Sequence, residues 1–541
     1  MCLAQPLSHA HLDSDAWERG TRQRGRGLAP ALRSAFGLTS SLELWRHVQN
    51  QAISFQMDKI DESQTRAWAG GVFGRAKLRD VRRTRRLVSM TNTAIHRLAG
   101  TITGVFDNPA ELAGAYDLIE NEAVDPEELV RCLAEHAAEL ALRHFYVWIA
   151  TDGTSQHVTD RKKVKGTGPV GTTRAKARGD KIHDALVLDP DGVPLGVASV
   201  QYWQRRDMPA RKSHGRRDTE DKETQRWLDA RARCREDFGA YAPGVTQHLL
   251  HDREADAWPV LWDAVEHRAE EFTTVRAQWD RRLLGPEEEA SEPHVHKLRE
   301  ALAHTPVCGE LELEVAAGPG RAARTATLEV RACTVTLDLR DKRHGTQRAA
   351  PMGVVCAREV SPMPSGHTPL EWMLLTTYPV DTFEGACHVV RGYSFRWRVE
   401  RFHAAWKSAG TDLNAMQLEA PSHRARWRLI LAAAAVFLLR WQILSQTQPE
   451  TDAREVFTEE QIEAVRDMQK DEVVPERGSM TLWQMTVAIA YLGGWPGSRQ
   501  RAPGLIVLGR GWQRVAAYMM GQRRRKERLR RQEIASQEDT R

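Results

Sequence analysis

The chain has 541 residues, more than a single hydrophobic core usually organises, so two or three domains are expected. With 41% hydrophobic and 28% charged residues it has ample material to bury, which excludes both wholesale disorder and a small stapled scaffold. Lys and Arg number 77 against 72 Asp and Glu, a net charge of only +5, so any attraction to nucleic acid has to be local. Seven cysteines with no C-x-x-C pair argue against a disulfide framework and a thiolate zinc site, and fit a reducing compartment.

Residues 1–64 are rich in Arg, Ser and Gln with little apolar period and read as a loose extension. Met1 to His11 carries neither a basic stretch nor a long apolar run, so no secretory signal is expected. Residues 65–140 read as helical, with Leu87, Ile95, Leu98, Leu112, Tyr116, Leu118 and Leu129 as apolar positions and Asp125-Pro126-Glu127-Glu128 as a helix start. Seven cations, Arg75, Lys77, Arg79, Arg82, Arg83, Arg85 and Arg86, fall within 12 residues with Asp80 the only acid. A solvated helix face and a phosphate-binding surface both fit that run, and Arg82, Arg83 and Arg86 are the DNA-binding candidates.

The third region, residues 141–445, opens with a strand from Phe145 to Ala150 that ends at Thr151-Asp152-Gly153. Ala185 to Leu188 and Leu195 to Tyr202, separated by Asp189-Pro190-Asp191-Gly192, predict a hairpin. Val245 to Leu250 predicts a strand that terminates at Asp252. Alternating apolar residues between Glu310 and Leu339 predict a β-rich block, Trp372 to Thr377 a further strand, and Asp381 the cap of a long helix. Asp152 and Asp252 thus stand at strand ends, where α/β sheets commonly carry reactive groups. On the helix, Tyr393, Arg396, Glu400 and Lys407 fall within an arc of about 60° if each residue turns the helix by roughly 100°. Phe395, Val399, Phe402 and Trp406 take the other face. Three converging carboxylates repel unless a cation neutralises them, and oxygen ligands suit magnesium or manganese.

The text Tyr393-Ser-Phe-Arg396-Trp-Arg-Val-Glu400-Arg-Phe-His-Ala-Ala-Trp-Lys407 resembles the bacterial cut-and-paste insertion-sequence transposases of the DDE type that carry a Tyr-Arg-Glu-Lys motif, the group containing the transposon-five transposase. Ala150-Thr151-Asp152-Gly153-Thr154, His251-Asp252-Arg253-Glu254-Ala255-Asp256, Asp80 to Leu87, Gly114-Ala115-Tyr116, Lys222-Glu223 with Trp227, Pro369-Leu370-Glu371-Trp372 and Leu492-Gly493-Gly494 match in order, over roughly residues 65–520. The resemblance implies an α/β fold: an RNase H-like catalytic core with an inserted β-rich domain at about 258–370, a helical N-terminal DNA-end-binding domain, and a helical C-terminal domain. It implies that Asp152, Asp252 and Glu400 bind two Mg2+ ions, with Mn2+ as a substitute, and that they are the catalytic residues. Tyr393, Arg396, Lys407, Trp372 and Arg276 are then DNA contacts, Trp372 by stacking on a flipped base. Long N-terminal sequence and the basic stretch Arg161-Lys162-Lys163-Val164-Lys165 depart from the pattern.

Residues 446–541 begin polar and resume a helical pattern at Leu482, Met485, Ile489 and Leu492, followed by Leu505-Ile506-Val507-Leu508 and a basic tail from Arg523 to Arg531. A short apolar unit of this kind gains from docking on a copy, so a homodimer on paired DNA ends is expected. The apolar run Leu429 to Leu439 is too short to span a bilayer and reads as a core helix, so no membrane partner is expected and the location is cytoplasmic, at the nucleoid. The function implied is excision and insertion of a mobile DNA element. The rivals are a non-catalytic relative that binds ends and inhibits transposition, and a carboxylate-pair glycosidase, which leaves Arg396 and Lys407 without a role.

Overall fold

The computed structural model describes residues 64–541 except 161–164, 172–176, 206–221, 285–296, 316–322, 342–343, 363–367, 470–473, 476–477, 498–501 and 539–541. The N-terminal extension and most of the Arg161 to Lys165 stretch lie outside the described residues. Five helices come first: α1 (Gln64–Phe73), α2 (Val81–His96), α3 (Ile102–Val105), α4 (Pro109–Glu120) and α5 (Pro126–Ala141). Their starts obey capping chemistry: Asp80, Thr101, Asn108 and Asp125 each accept a hydrogen bond from a first-turn backbone N–H, and Pro opens α4 and α5. In α2 the buried residues Leu87, Met90, Thr91, Ala94 and Ile95 follow the helical period.

Ten strands then build one mixed sheet: β1 (Tyr146–His157), β2 (Gly168–Pro169), β3 (Arg178–Leu188), β4 (Pro194–Trp203), β5 (Thr246–His251), β6 (Glu271–Arg276), β7 (Val307–Val315), β8 (Arg324–Asp341), β9 (Thr346–Glu359) and β10 (Glu371–Thr376). Their order is β2-β3-β1-β5-β6-β10-β9-β8-β7, with β4 also paired to β3. Strands β4, β3 and β1 are antiparallel neighbours, whereas β5 runs parallel to β1 and β6 parallel to β5. Between them lie the crossover helices α6 (Thr224–Tyr241) and α7 (Trp258–Glu266). The β3–β4 hairpin turns at Asp189, whose Oδ1 accepts from the backbone N–H groups of Asp191 at 2.9 Å and Val193 at 2.8 Å, while Gly192 takes φ +78°.

The β-rich stretch, with the short helix α8 (Leu298–His304) before it, is not a separate layer: β7, β8 and β9 extend the same sheet through β10. Residues 258–276, counted with that stretch from sequence, form α7 and β6 instead, and β6 belongs to the parallel pairing beside β5. A second correction concerns β1, which does not stop at Asp152. It runs on to His157 because β3 continues to pair with it as far as Gly179.

Both faces of the central strands are covered, and their period of two sorts the side chains. Val147 and Ile149 pack toward α5 and α6 with Ala137, Ala141, Cys234 and Phe238. Trp148 and Ala150 join the opposite core with Val399, Phe402 and Trp406. On that second side lie α9 (Phe383–Phe395), α10 (Trp397–Ala404) and α11 (Pro421–Thr447). Gly392 in α9 is required by close approach, since a Cβ there would overlap the Trp148 indole. The cap of α9 is Thr382, whose hydroxyl accepts from the Gly385 N–H, rather than Asp381. Helix α11 is long and apolar enough to cross a membrane, yet 83% of its most apolar window is buried within the protein, as a core helix requires. The closing helices α12 (Glu459–Met468), α13 (Leu482–Leu492) and α14 (Leu505–Glu538) pack on it, so Leu482, Met485, Ile489, Leu508 and Trp512 share one core with Leu87 and Met90 of α2.

Candidate functional site

Strand parity builds the acidic site. Asp152 follows Trp148 and Ala150 onto the α10 side of β1, and Asp252 follows Leu250 on the neighbouring β5, so the two carboxylates face the same helix. Asp152 accepts from the Gly153 N–H at 2.7 Å, and Asp252 from the Glu254 N–H at 2.8 Å in a short turn that fixes it just beyond the strand. Burial, reinforced by Asp252 and Asp184, pushes the Asp152 carboxyl up to about 6, against the lowering pull of His403 and Arg396.

Helix α10 supplies Glu400, but the Tyr393 to Lys407 segment is not one straight helix. It is interrupted at Arg396, and Lys407 lies in a π-turn over Ala405–Ala409. The motif residues still keep to one side, with Arg396 between Glu400 and Asp152 and Lys407 on Thr154 of the same strand. Tyr393 is buried edge-to-face on Trp372, ring centres 5.3 Å apart. Arg396 Nη2 donates to Glu400 Oε1 at 2.5 Å while Nη1 stands 3.8 Å from Asp152 Oδ2. Its Nε and Nη1 are buried and meet no acceptor with hydrogen-bond geometry among the described residues. Lys407 Nζ donates to Thr154 Oγ1 at 2.6 Å and to the Ser155 carbonyl at 3.4 Å, and burial lowers its proton affinity. Arg276, on β6, is half-buried, lowered by burial, and close enough to Tyr393 to interact with it. Trp372 is 7% exposed, packed with Leu374 and Val390, so its indole is a core side chain in this state.

Two supporting networks had no motif to announce them. Asp184 is the cross-strand partner of Asp152 and holds His403 Nε2 at 2.8 Å, both fully or nearly buried. Burial works against the His403 cation, yet Asp184 outweighs it and the imidazole is raised above its ordinary value. On the other side of the sheet, Thr151 and His251, the residues immediately before the two Asp, clasp each other: Oγ1 to Nδ1 is 2.5 Å. Arg231 Nη1 lies 3.3 Å from His251 Nε2 and also donates to Thr273 Oγ1 at 2.7 Å, its guanidinium being held by Asp263 and Glu271. A guanidinium only donates, so Nε2 accepts and Nδ1 carries the proton given to Thr151. Burial and Arg231 hold that imidazole neutral. The parity that aims Asp152 and Asp252 one way necessarily aims Thr151 and His251 the other, which is the signal the sequence did contain.

Carboxylate oxygens are the right donors for a hard divalent cation, and a buried Asp152 with raised proton affinity is a carboxylate short of compensating charge. Among the described residues no three His, Cys, Asp or Glu side chains stand close enough together to hold a metal ion, and Arg396 lies near Asp152 and bonded to Glu400.

The basic run lies at the start of α2. Arg82, Arg85 and Arg86 are exposed and Arg83 is half-buried, its guanidinium donating to the Leu78 carbonyl at 2.9 Å. Arg75 is paired with Glu139 and Arg82 with Asp80 at 2.9 Å. Four arginines in the first six residues of a helix, with no acid in its first turn, oppose the helix dipole.

Comparison with known proteins bears on this segment directly. A family model described as transposase DNA-binding matches residues 65–124, the α1 to α4 region that carries the basic run. The match supports a transposase whose partner is DNA. Among solved structures, the chain is similar to a cryo-EM structure of piggyBac transposase in a synaptic complex with hairpin DNA, at 10% identity and a TM-score of 0.33, over 75% of this chain and 73% of that one.

Proposed function

We propose that the protein is a DDE transposase that excises and inserts a mobile DNA element, with Asp152, Asp252 and Glu400 as its catalytic carboxylates. The observation that carries this reading is the joint placement of Asp152 and Asp252 on adjacent parallel strands, facing the helix of Glu400, in a chain whose residues 65–124 match a transposase DNA-binding model. The order β4-β3-β1-β5-β6, antiparallel on one side of β1 and parallel on the other, supports an RNase H-like reading of the core.

Asp152, Asp252 and Glu400 would hold two Mg2+ ions, which, when bound, lower the pKa of a water or 3′ hydroxyl and neutralise charge at the phosphodiester. Glu400 joins the two Asp when Arg396 releases it, and the freed guanidinium, already short of acceptors, then takes a phosphate oxygen. Lys407, fixed from β1 by Thr154, holds a second phosphate. Water attacks phosphorus and breaks its bond to the 3′ oxygen, which leaves as a hydroxyl. That 3′ hydroxyl attacks phosphorus on the opposite strand, breaking its bond to the flanking 3′ oxygen and closing a hairpin; water then attacks the hairpin phosphorus and frees the 3′ hydroxyl, which attacks phosphorus in target DNA and releases a target 3′ hydroxyl. A homodimer on paired ends completes the reading.

The test is product analysis. Purified protein with Mg2+ and a duplex carrying the inverted repeat that flanks its gene should give nicked strands ending in 3′ hydroxyls and a hairpin on a denaturing gel. Tight binding of that duplex with no cleavage in Mg2+ or Mn2+ would replace this reading with the non-catalytic end-binder.

A further inference from the structure

Helix α14 has two halves. Leu505, Leu508, Trp512, Val515 and Met519 bury its first part in the core. Beyond Gly521 the sequence from Arg523 to Arg531 holds seven cations and one acid, Glu527. Arg524, Arg525, Lys526, Arg528 and Arg530 are exposed. Arg523 pairs with Glu460 at 2.7 Å and Arg524 approaches Asp107 at 3.5 Å, but among the described residues no ion pair engages Arg525, Lys526, Arg528 or Arg530.

Such a run is costly to a helix. Arg524 with Arg528, and Lys526 with Arg530, are like charges four apart, which destabilises a helix. The run also lies more than a turn before the helix end at Glu538, where the dipole would favour cations. Its position is fixed, not trailing: Trp512 Nε1 donates to the Ile95 carbonyl at 3.0 Å, Gln513 to the Leu98 carbonyl at 2.7 Å, and Arg97 reaches Met520 Sδ at 3.1 Å and Asp107 at 2.7 Å. These anchors all belong to the 65–124 segment. They sit at the C-terminal end of α2, whereas Arg82 to Arg86 occupy its N-terminal end, roughly 20 Å away at about 1.5 Å for each residue from Thr84 to Arg97.

We infer that the basic half of α14 is a second DNA-binding surface, which grips the phosphate backbone of double-stranded DNA without regard to sequence while the N-terminal helical domain engages its own site. Cations around the whole helix, at 524 and 528, at 525, and at 526 and 530, suit a helix lying in a groove with phosphates on either side. This rests on the DNA-binding part of the reading above and not on the catalytic carboxylates.

The test uses the full chain in which Arg525, Lys526, Arg528 and Arg530 are all replaced by Gln, which preserves helix propensity, beside a control with the three arginines changed to Lys. Fluorescence anisotropy with a random-sequence duplex is read against salt. The Gln variant should lose at least about tenfold in affinity at low salt, with the salt slope reduced by up to about 0.9 for each phosphate no longer neutralised, and the Lys control should bind as wild type. Preference for the element end over random sequence should persist. Unchanged affinity and slope overturn the inference, as does a loss confined to anionic lipid vesicles or to RNA. Because cleavage per bound complex is measured separately, failure here leaves the transposase reading standing, and the reverse also holds.

Discussion

Asp152 holds a carboxylate at a position where burial favours the acid. Its pKa of about 6 against an ordinary 3.8 means the folded protein binds the proton more tightly than the unfolded chain, so its contribution falls as pH rises from about 4 to above 6, by about 3 kcal/mol in all. Asp152→Asn is therefore expected to raise stability at pH 8 without divalent ions, measured by urea unfolding, and Mn2+ should stabilise the wild type but not the variant. Thr151 offers a second test. Thr151→Val removes the acceptor for His251 and should weaken Mn2+ binding about 10–100-fold with DNA affinity unchanged, while Thr151→Ser restores it. Equal Mn2+ titration curves for all three proteins would make the clasp mere packing. Asp152 and Asp252 were flagged by the apolar runs that precede them and Glu400 by its motif, although β1 continues past Asp152 to His157. Asp184 and His251 were not, since cross-strand and cross-sheet partners depend on register, which a one-dimensional pattern leaves open.

Among the elements, α2 shows the difference between a pattern and its cause. Its apolar positions Leu87 and Ile95 were readable whereas its Asp80 cap was not read, and the arginines at its start are set against the dipole. Changing Arg82 and Arg83 to Ala should weaken end binding and lower the salt slope by up to about one for each phosphate these side chains neutralise, with little loss of stability. An unchanged slope would leave only a solvated face. The side-chain period of the Tyr393 to Lys407 segment is that of one helix; the interruption at Arg396 and the π-turn at Ala405–Ala409 add small phase changes that composition does not encode. Its apolar face follows the period: Val399, Phe402 and Trp406 are fully buried. Trp372, which could serve by pattern either for stacking or in the core, is core.

Across the whole molecule, residues 63–541 pack as one compact unit. The C-terminal apolar period is real, and it is buried in the core of the same chain. Leu482, Met485, Ile489 and Leu508 face α11 and α2 of the same chain, where Trp441, Phe457 and Trp512 meet, so that face is not free to bind a copy. A chain cut after Gln446 should consequently lose its fold, seen as insolubility or loss of cooperative unfolding, rather than persist as a monomeric end-binder. The β-rich stretch was visible as alternation, whereas its entry into the main sheet depended on β10 pairing with both β6 and β9. The central claim, that three carboxylates from β1, the end of β5 and α10 act together on DNA, is tested most directly by comparing cleavage and end binding in Asp152→Asn, Asp252→Asn and Glu400→Gln. Each variant should bind the end duplex like the wild type and cut none of it in Mg2+; full cleavage by any one of them would contradict the account.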